Sequence, residues 1–227
     1  TVLSYSVAAS GDGASFEIDN LNNLKLITSS ADYETNNSYS VTVDASDGSL
    51  TTSKSFTISV GDVDEAPTLT VPTGGSVTED ADTSTITGSL VGSDPEDDSL
   101  TYSVVGSTAT EGSYSVTGTY GTLVLNASTG AYTYALNNAA TAVNALTASD
   151  SKTESFSVQV TDGTNTPAAQ SLSFTIQGAN DAPTLTVPTG GSVTEDASTS
   201  TITGTLSASD PEGDSPSYSV VGSTATD

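Results

Sequence analysis

Acidic residues occur in short clusters near the ends of strand-like segments. Three clusters lie in the first hundred residues: Asp32-Tyr-Glu34, Asp62-Val-Asp-Glu65 and Asp94-Pro-Glu96. Their carboxylate oxygens are the ligand type that hard cations such as Ca²⁺ prefer, and Ca²⁺ takes about six to eight of them. One cluster alone cannot supply that number. A calcium site therefore requires the fold to bring several clusters together.

The overall charge favours the same chemistry. The chain of 227 residues has 28 acidic side chains, no histidine and a formal net charge of −25. Its basic residues are Lys25, Lys54 and Lys152. Two carboxylates about 4 Å apart repel by roughly 4 kcal/mol at an effective dielectric of about 20. Because three lysines cannot neutralise the clusters, we expect bound cations to do so.

The composition also excludes several classes of function. Without His or Cys, the chain cannot form a Ser-His-Asp or Cys-His catalytic group or a zinc site of ordinary ligand type. A strongly negative surface repels nucleic-acid backbones and anionic lipid headgroups. No apolar run approaches the roughly 18 residues of a membrane span. We expect no enzymatic activity, no nucleic-acid binding and no membrane insertion.

The elements that must position these acids are strands. Residues 39–45 and 156–160 alternate apolar and polar side chains, which is typical of strands with one face in a core. Residues 123–134 indicate a hairpin that turns at Gly130, and residues 16–26 indicate its counterpart, with Asn23 in the place of that glycine. We predict an all-β fold of two-sheet sandwiches.

One segment departs from this pattern. Residues 137–146 are rich in alanine but short, which predicts a single helical turn or a loop.

An internal repeat defines the organisation of the chain. Residues 64–110 and 180–226 are identical at 38 of 47 positions, at an offset of 116. A period of this length is that of a domain. We predict three units: residues 1–61 as the back half of one domain, 62–178 as a complete domain, and 179–227 as the front half of another. We expect the chain to be part of a longer tandem array.

The clusters in residues 1–104 resemble the calcium motifs of cadherins. Asp32-Tyr-Glu34, Val43-Asp-Ala-Ser-Asp-Gly48 and Asp62-Val-Asp-Glu-Ala-Pro67 follow one another in the cadherin order and approximate spacing. Asp94-Pro-Glu96 looks like the acid-x-acid motif of the next domain.

The central unit also resembles a VCBS repeat. The resemblance rests mainly on Ser76-Val-Thr-Glu-Asp80, Ser93-Asp-Pro-Glu96, Gly130-Ala-Tyr-Thr-Tyr134, Val160-Thr-Asp-Gly163 and Asn180-Asp-Ala-Pro183. Both families imply tandem immunoglobulin-like (cadherin-like) Greek-key β-sandwiches joined by calcium-binding linkers. VCBS repeats are typical of giant RTX-type, calcium-dependent adhesins of Gram-negative bacteria. The resemblance therefore implies a secreted or cell-surface location.

The cadherin resemblance implies two sets of calcium ligands. The set at the first junction is Asp32, Glu34, Asp62, Asp64, Glu65, Asp94, Glu96 and Asp162, with Asp98 as a further candidate. The set at the second junction is Glu79, Asn180, Asp181, Asp210 and Glu212, with Asp80 and Asp214 nearby. We expect weaker binding or fewer ions at the second junction. Gly178 stands there in the place of Asp62, and Asp150 and Glu154 are out of step with the Asp-Tyr-Glu motif.

Three hypotheses about function follow. In the first, the repeats are a calcium-rigidified extender of a large bacterial adhesin, with calcium ions and neighbouring repeats as partners. In the second, the sandwiches themselves bind a carbohydrate or protein, including cell-surface glycans, through many weak sites. In the third, the chain is a spacer within an extracellular hydrolase. The register of the acidic motifs with the unit boundaries favours the first.

Overall fold

The structure is a computed structural model that describes residues 2–27, 31–195 and 201–222. The chain divides into two compact units. The first comprises Thr1–Ala66 with Asp94–Asp98, and the second comprises Pro67–Ser93 with Ser99–Asp227. The domain boundaries expected after residues 61 and 178 stay predictions.

Among its described residues, the first unit has five strands and one short 3₁₀ turn, Gly13–Ser15. The strands are β1 (Ser4–Val7), β2 (Phe16–Ile18), β3 (Leu24–Leu26), β4 (Ser38–Ser46) and β5 (Thr51–Ser59). β1, β4 and β5 form an antiparallel sheet in that order, and β2 pairs with β3.

A small core holds the first unit together. Phe16, Tyr39 and Val41 are buried, and the rings of Phe16 and Tyr39 meet edge to face with centroids 5.4 Å apart. In the β2–β3 turn, Asn22 has a φ of 64° and takes the left-handed conformation. We expected Asn23 to take the left-handed conformation that Gly130 takes. This was wrong by one residue, because the structure has that conformation at Asn22.

In the part of the chain that the structure describes, the second unit contains twelve strands and one helix of four residues. They are β6 (Thr68–Thr70), β7 (Ser76–Thr78), β8 (Thr85–Ser89), β9 (Val91–Ser93), β10 (Thr101–Val104), β11 (Ser113–Thr117), β12 (Gly121–Asn126), β13 (Ala131–Leu136), α1 (Thr141–Asn144), β14 (Ser151–Thr161), β15 (Gln170–Gln177), β16 (Thr184–Thr186) and β17 (Ser207–Ser209). The single helical turn expected within residues 137–146 is α1. Among the described residues, no helix is long and apolar enough to cross a membrane.

Two four-stranded sheets make up the centre of this unit. Their orders are β10-β14-β15-β7 and β11-β12-β13-β8. All pairs are antiparallel except β15 with β7, which is parallel. The all-β, immunoglobulin-like sandwich expected from the sequence is confirmed.

The core of the sandwich consists of the inward-facing residues of these strands. Tyr134 and Phe174 are fully buried, and their rings stack with centroids 4.3 Å apart. Leu123, Val158 and Ile176 are also fully buried beside them. The period-two pattern is thus satisfied because every second side chain of β12, β14 and β15 points into one core.

The offset of 116 is preserved in three dimensions. β6 pairs with β9 so that Thr68 lies opposite Ser93, and β16 pairs with β17 so that Thr184 lies opposite Ser209. In both pairs the threonine hydroxyl donates a hydrogen bond to the serine carbonyl, at 3.1 Å. The two copies thus share one register, although β9 and β17 differ at two of their three residues.

Candidate metal centre

Three carboxylates from separate segments meet in the first unit. One oxygen each from Glu34, Asp62 and Glu96 lies within 4.8 Å of the other two. Glu34 belongs to the turn before β4, Asp62 follows β5, and Glu96 lies in the loop after β9. We call these three residues the carboxylate cluster. All three were expected as calcium ligands.

A hydrogen-bonded turn holds Glu34 in place. The Asp32 side chain accepts a hydrogen bond from the backbone N–H of Thr35 at 3.0 Å, and the Asp32 carbonyl accepts one from Asn36 at 2.9 Å. The bonds from Thr35, backbone first, lower the pKa of Asp32. Asp32 therefore stays ionised and organises the turn that presents Glu34.

Asp94 organises the loop that presents Glu96. It is buried, and its Oδ1 accepts backbone hydrogen bonds from Glu96 at 3.1 Å and Asp98 at 3.2 Å. Asp97 completes the tight loop with a φ of 60°. The other oxygen of Asp94, Oδ2, is buried and has no hydrogen-bond partner.

Glu96 also has a side-chain oxygen that is buried without a hydrogen-bond partner. Its Oε2 accepts a long hydrogen bond of 3.4 Å from the backbone N–H of Glu65, whereas its Oε1 is buried without a partner. The side chain of Glu65, followed by desolvation, raises the pKa of Glu96 to about 7. A carboxylate here is costly to ionise in the absence of a cation.

Repulsion within the cluster is visible at Glu34 as well. A hydrogen bond from its own backbone lowers the pKa of Glu34, but desolvation and the charges of Glu96 and Asp62 outweigh it and raise the pKa.

The cluster borders a cleft of about 450 Å³ whose lining includes Asp32, Glu34 and Glu65. There is thus room for an ion and its water ligands beside the carboxylates.

The second unit contains a similar arrangement 116 residues later. Asp210 Oδ1 accepts backbone hydrogen bonds from Glu212 and Asp214, both at 3.2 Å, as Asp94 does in its own loop. Glu212 Oε1 accepts one from the backbone of Asp181 at 2.9 Å. Glu79, which is 2% exposed, accepts one from Ala179 at 3.1 Å.

Three buried oxygens without hydrogen-bond partners occur on these residues: Glu79 Oε1, Asp181 Oδ2 and Glu212 Oε2. Desolvation raises the pKa of Glu79 against the opposing bond from Ala179, and the neighbouring acids add to the rise. Desolvation and the carboxyl of Asp80 raise the pKa of Asp181. The structure thus brings Glu79, Asp181 and Glu212 into mutual repulsion.

Asp162 lies at the end of β14 in the second unit. Its Oδ1 accepts hydrogen bonds from the backbones of Thr164 and Asn165, both at 2.6 Å. Desolvation acts to raise its pKa, but these bonds outweigh it and lower the pKa. Its Oδ2 is buried and has no hydrogen-bond partner.

The remaining candidates are more exposed. Asp64, Asp98, Asn180 and Asp214 all have exposed side chains. The Asn180 amide donates to the Asp181 carbonyl at 3.0 Å, so it braces the linker. The ligand assignments for both junctions stay predictions.

Sequence reasoning missed the role of Glu154. This side chain is buried and accepts hydrogen bonds from the Tyr134 hydroxyl at 2.7 Å, from the Tyr120 and Gly121 backbones at 3.0 and 3.1 Å, and from the Thr119 backbone. It closes the turn between β11 and β12. The available signal was its position in the inward alternation of β14, two residues before Phe156.

The paired sheets define the chain as an immunoglobulin-like β-sandwich protein, and the acidic loops lie beyond the ends of the strands. The family model of the bacterial cadherin-like domain matches residues 64–178, half of the chain. The chain belongs to that family. The narrower resemblance to VCBS repeats and RTX adhesins stays a prediction.

Several solved cadherin structures are similar to the chain. A protocadherin gammaB7 EC3-6 cis-dimer structure has 20% identity and a TM-score of 0.47, covering 92% of this chain and 52% of that one. Human protocadherin-24 EC1-2 (form II) has 14% identity and a TM-score of 0.49, covering 79% and 83%. The chain spans about half the length of the protocadherin gammaB7 chain. A comparison with curated proteins finds no match.

Proposed function

We propose that these repeats are a calcium-rigidified extender of a large secreted or cell-surface bacterial adhesin. The observation that carries the proposal is the carboxylate cluster, in which oxygens of Glu34, Asp62 and Glu96 lie within 4.8 Å of one another. Such proximity without a counter-charge is unfavourable. Membership of the bacterial cadherin-like domain family supports an extracellular, adhesion-type repeat.

The residues at the cluster fit calcium. Its ligands are all carboxylate oxygens, the hard donors that Ca²⁺ prefers. Glu96 Oε1 of the cluster and Asp94 Oδ2 in the same loop are buried without a hydrogen-bond partner, which suits atoms that complete their coordination with an ion. Glu34, Asp62 and Glu96 would hold the ion, and its positive charge would offset their repulsion.

The chain's own residues prepare this site. Asp32 fixes the turn that carries Glu34, and Asp94 fixes the loop that carries Glu96. Asp62 belongs to the segment that leads out of β5. In our proposal, tying these three segments together limits the bending of the chain between consecutive repeats. The carboxylates act as ligands and perform no catalysis.

The recurrence of the acidic loop supports a periodic stalk. Asp94 and Asp210 hold their loops with the same pair of backbone hydrogen bonds. A device repeated at the period of the domain suits an extender, in which each joint must resist bending. Calcium ions and neighbouring repeats are the partners in this proposal. Other parts of the adhesin would bind the target of adhesion.

Small-angle scattering of the 227-residue chain tests the proposal. We expect a long, narrowly distributed maximum dimension with calcium and a shorter, broader distribution after chelation. Glu34→Gln with Glu96→Gln should give the chelated profile even with calcium, whereas Glu17→Gln, an exposed carboxylate of β2, should behave as the unmodified chain. A profile unchanged by calcium would overturn the proposal.

A further inference from the structure

The end of β12 and the turn that follows it contain the triplet Asn126-Ala-Ser128. An Asn-x-Ser triplet in which x is not proline is an acceptor sequence for an N-linked sugar on the surface of a secreted protein. The chain has one other such triplet, Asn36-Asn-Ser38, at the start of β4. Because serine and threonine are frequent in this chain, triplets of this kind also arise by chance. The geometry around each asparagine therefore decides between them.

The Asn126 side chain is held through its oxygen. Oδ1 accepts hydrogen bonds from the Ser128 backbone at 3.0 Å, from the Ser128 hydroxyl at 2.9 Å and from the Thr129 backbone at 3.0 Å. Among the described residues, none accepts a hydrogen bond from Nδ2, although this nitrogen has two N–H groups to donate. Asn126 lies on the outer side of β12, the side of the exposed Val124. The nitrogen that would carry a sugar is thus the unoccupied atom of a fixed side chain.

The three donors on Oδ1 favour chemistry at Nδ2. When a carboxamide nitrogen loses a proton and forms a new bond, negative charge develops on the carboxamide oxygen. Donors that already point at that oxygen stabilise the charge, as in an oxyanion hole. One of these donors is the Ser128 hydroxyl, the group that defines the triplet. The folded turn therefore holds the acceptor side chain in a conformation that favours transfer.

The surroundings of Asn36 differ in two respects. Among the described residues, no hydrogen bond joins the Ser38 hydroxyl to the Asn36 side chain, and the Asn36 backbone N–H donates to the Asp32 carbonyl at 2.9 Å. Glu34 of the carboxylate cluster precedes Asn36 by two residues. Activated sugar donors are anionic diphosphates, which such an acidic turn repels. Residues 112–149, by contrast, contain no charged side chain in a chain whose net charge is −25.

We infer that Asn126 accepts an N-linked sugar from a glycosyl diphosphate. In the transfer, Nδ2 forms a bond to the anomeric carbon of the sugar, and the bond from that carbon to the diphosphate oxygen breaks. The diphosphate leaves with the electron pair, and one proton of the carboxamide passes to a base of the transferase. No group is oxidised or reduced. Asn126 lies outside the acidic loops, so the inference is independent of the cation proposal.

Mass spectrometry of the protein isolated from the cells that produce it is the first test. Chymotrypsin cleaves after Tyr120 and Tyr132, and residues 121–132 contain Asn126 as their only asparagine. We expect the mass of a sugar on this peptide. A single monosaccharide would indicate a nucleotide-linked donor, and an oligosaccharide would indicate a lipid-linked one. An unmodified peptide, or a sugar that fragmentation locates on Ser128 or Thr129 instead, would overturn the inference.

Transfer in vitro tests the contribution of the turn. The purified chain is incubated with an asparagine-directed glycosyltransferase and uridine diphosphate glucose. Asn126 should be modified at least about tenfold faster than Asn36 in the folded chain, because the donors on Oδ1 are already in place. Synthetic peptides of residues 33–41 and 123–131, which lack the folded strands, should be modified at similar rates. Equal rates at the two asparagines of the folded chain, or the same preference in the peptides, would overturn the argument from geometry.

Variants of the whole chain separate the two roles of the triplet. Asn126→Asp keeps the oxygens that hold the turn but lacks Nδ2, so it should fold, as checked by circular dichroism, and lose the modification. Ser128→Ala should slow the transfer at least about tenfold, and Ser128→Thr should retain it. Asn36→Asp changes the net charge as Asn126→Asp does and is the matched control, which should leave the modification of Asn126 unchanged. Transfer to Ser128→Ala at the rate of the unmodified chain would contradict the inference.

Discussion

The Tyr134 hydroxyl donates a hydrogen bond of 2.7 Å to the Glu154 carboxylate inside the sandwich. Burial, and then this bond, raise the pKa of Tyr134. The carboxylate also receives three backbone N–H groups from residues 119–121. A buried charge surrounded by donors is stable only while all of them are present. The pair therefore joins β13 and β14 to the β11–β12 turn.

We predict that Glu154→Ala lowers the free energy of unfolding of the central repeat by about 3–5 kcal/mol, since it leaves several buried donors without an acceptor. Tyr134→Phe removes one donor and should cost about 1–2 kcal/mol. Urea unfolding followed by circular dichroism measures both. Asp82→Ala, at an exposed carboxylate of the same repeat, is the control and should change stability by less than about 0.5 kcal/mol. A loss for Glu154→Ala as small as that of the control would contradict the structural role of this residue.

Calcium affinity should depend on the carboxylate cluster. Glu34→Gln removes one negative charge from three converging ligands, and ligand charge sets affinity in calcium sites. We expect titration calorimetry to give an affinity at least about tenfold weaker for this variant at its tightest site. Glu17→Gln changes the overall charge equally, but Glu17 is exposed on β2 and is not one of the three converging carboxylates, so this variant should leave the affinity unchanged. Equal effects of the two substitutions would mean that only the net charge matters.

The raised pKa of Glu96 predicts a pH dependence. Its pKa is about 7, against an ordinary value of 4.5. Between these two values the folded chain holds a proton that the unfolded chain has lost. Without calcium, the free energy of unfolding of the first unit should therefore fall as the pH rises from about 4.5 to about 7. Urea unfolding in chelator across this range measures the trend, and Glu96→Gln should flatten it.

Calcium affinity should rise over the pH range in which the free energy of unfolding falls. An ion needs the ionised form of Glu96, so calcium affinity should rise with pH up to about 7 and binding should release protons. Calorimetry in buffers of different ionisation enthalpy detects that release. A proton count that is the same for the unmodified chain and for Glu96→Gln would show that another group titrates.

Much of the fold could be predicted because its signals are local. The alternation in β4 and β14, the Gly130 turn and the offset of 116 each depend on neighbouring or identical residues, and the structure contains all of them. The acidic loops were recognisable for the same reason. Asp94-Pro-Glu96 and Asp210-Pro-Glu212 carry their own backbone hydrogen bonds.

The rest depends on contacts between distant segments. Glu154 is held by backbone groups more than 30 residues away. The alternation of β14 could mark this side chain as inward-facing, but it could not show which donors hold it. The buried oxygen of Glu79 without a partner arises only once β7 lies beside β15, and that of Glu212 only once its loop lies against Asp181. Asn22 rather than Asn23 takes the left-handed position because turn geometry is set by how β2 and β3 pair.

The last prediction concerns Gly178, which stands where the first junction has Asp62. Sequence comparison alone suggests that a carboxylate here would strengthen the second site. The structure argues against this, because a Cβ at Gly178 would lie 2.7 Å from the Cβ of Leu146 and even closer to the carbonyl oxygen of Thr147. We expect Gly178→Ala to destabilise the central repeat by about 1–3 kcal/mol, as overpacking does.

Gly178→Asp should carry the same steric cost and bring no gain in calcium affinity. Urea unfolding and calorimetry of the two variants measure these effects. Gly61→Ala is the matched control, since a Cβ at Gly61 meets nothing within 4 Å. If Gly178→Asp were as stable as Gly61→Ala and bound calcium more tightly than the unmodified chain, position 178 would be a calcium-ligand position that lacks its carboxylate. If both Gly178 variants unfold more easily, the glycine is required by the close packing of the chain, as it leaves β15, against Leu146 and Thr147. Any calcium ion at the second junction would then have no carboxylate ligand at that position.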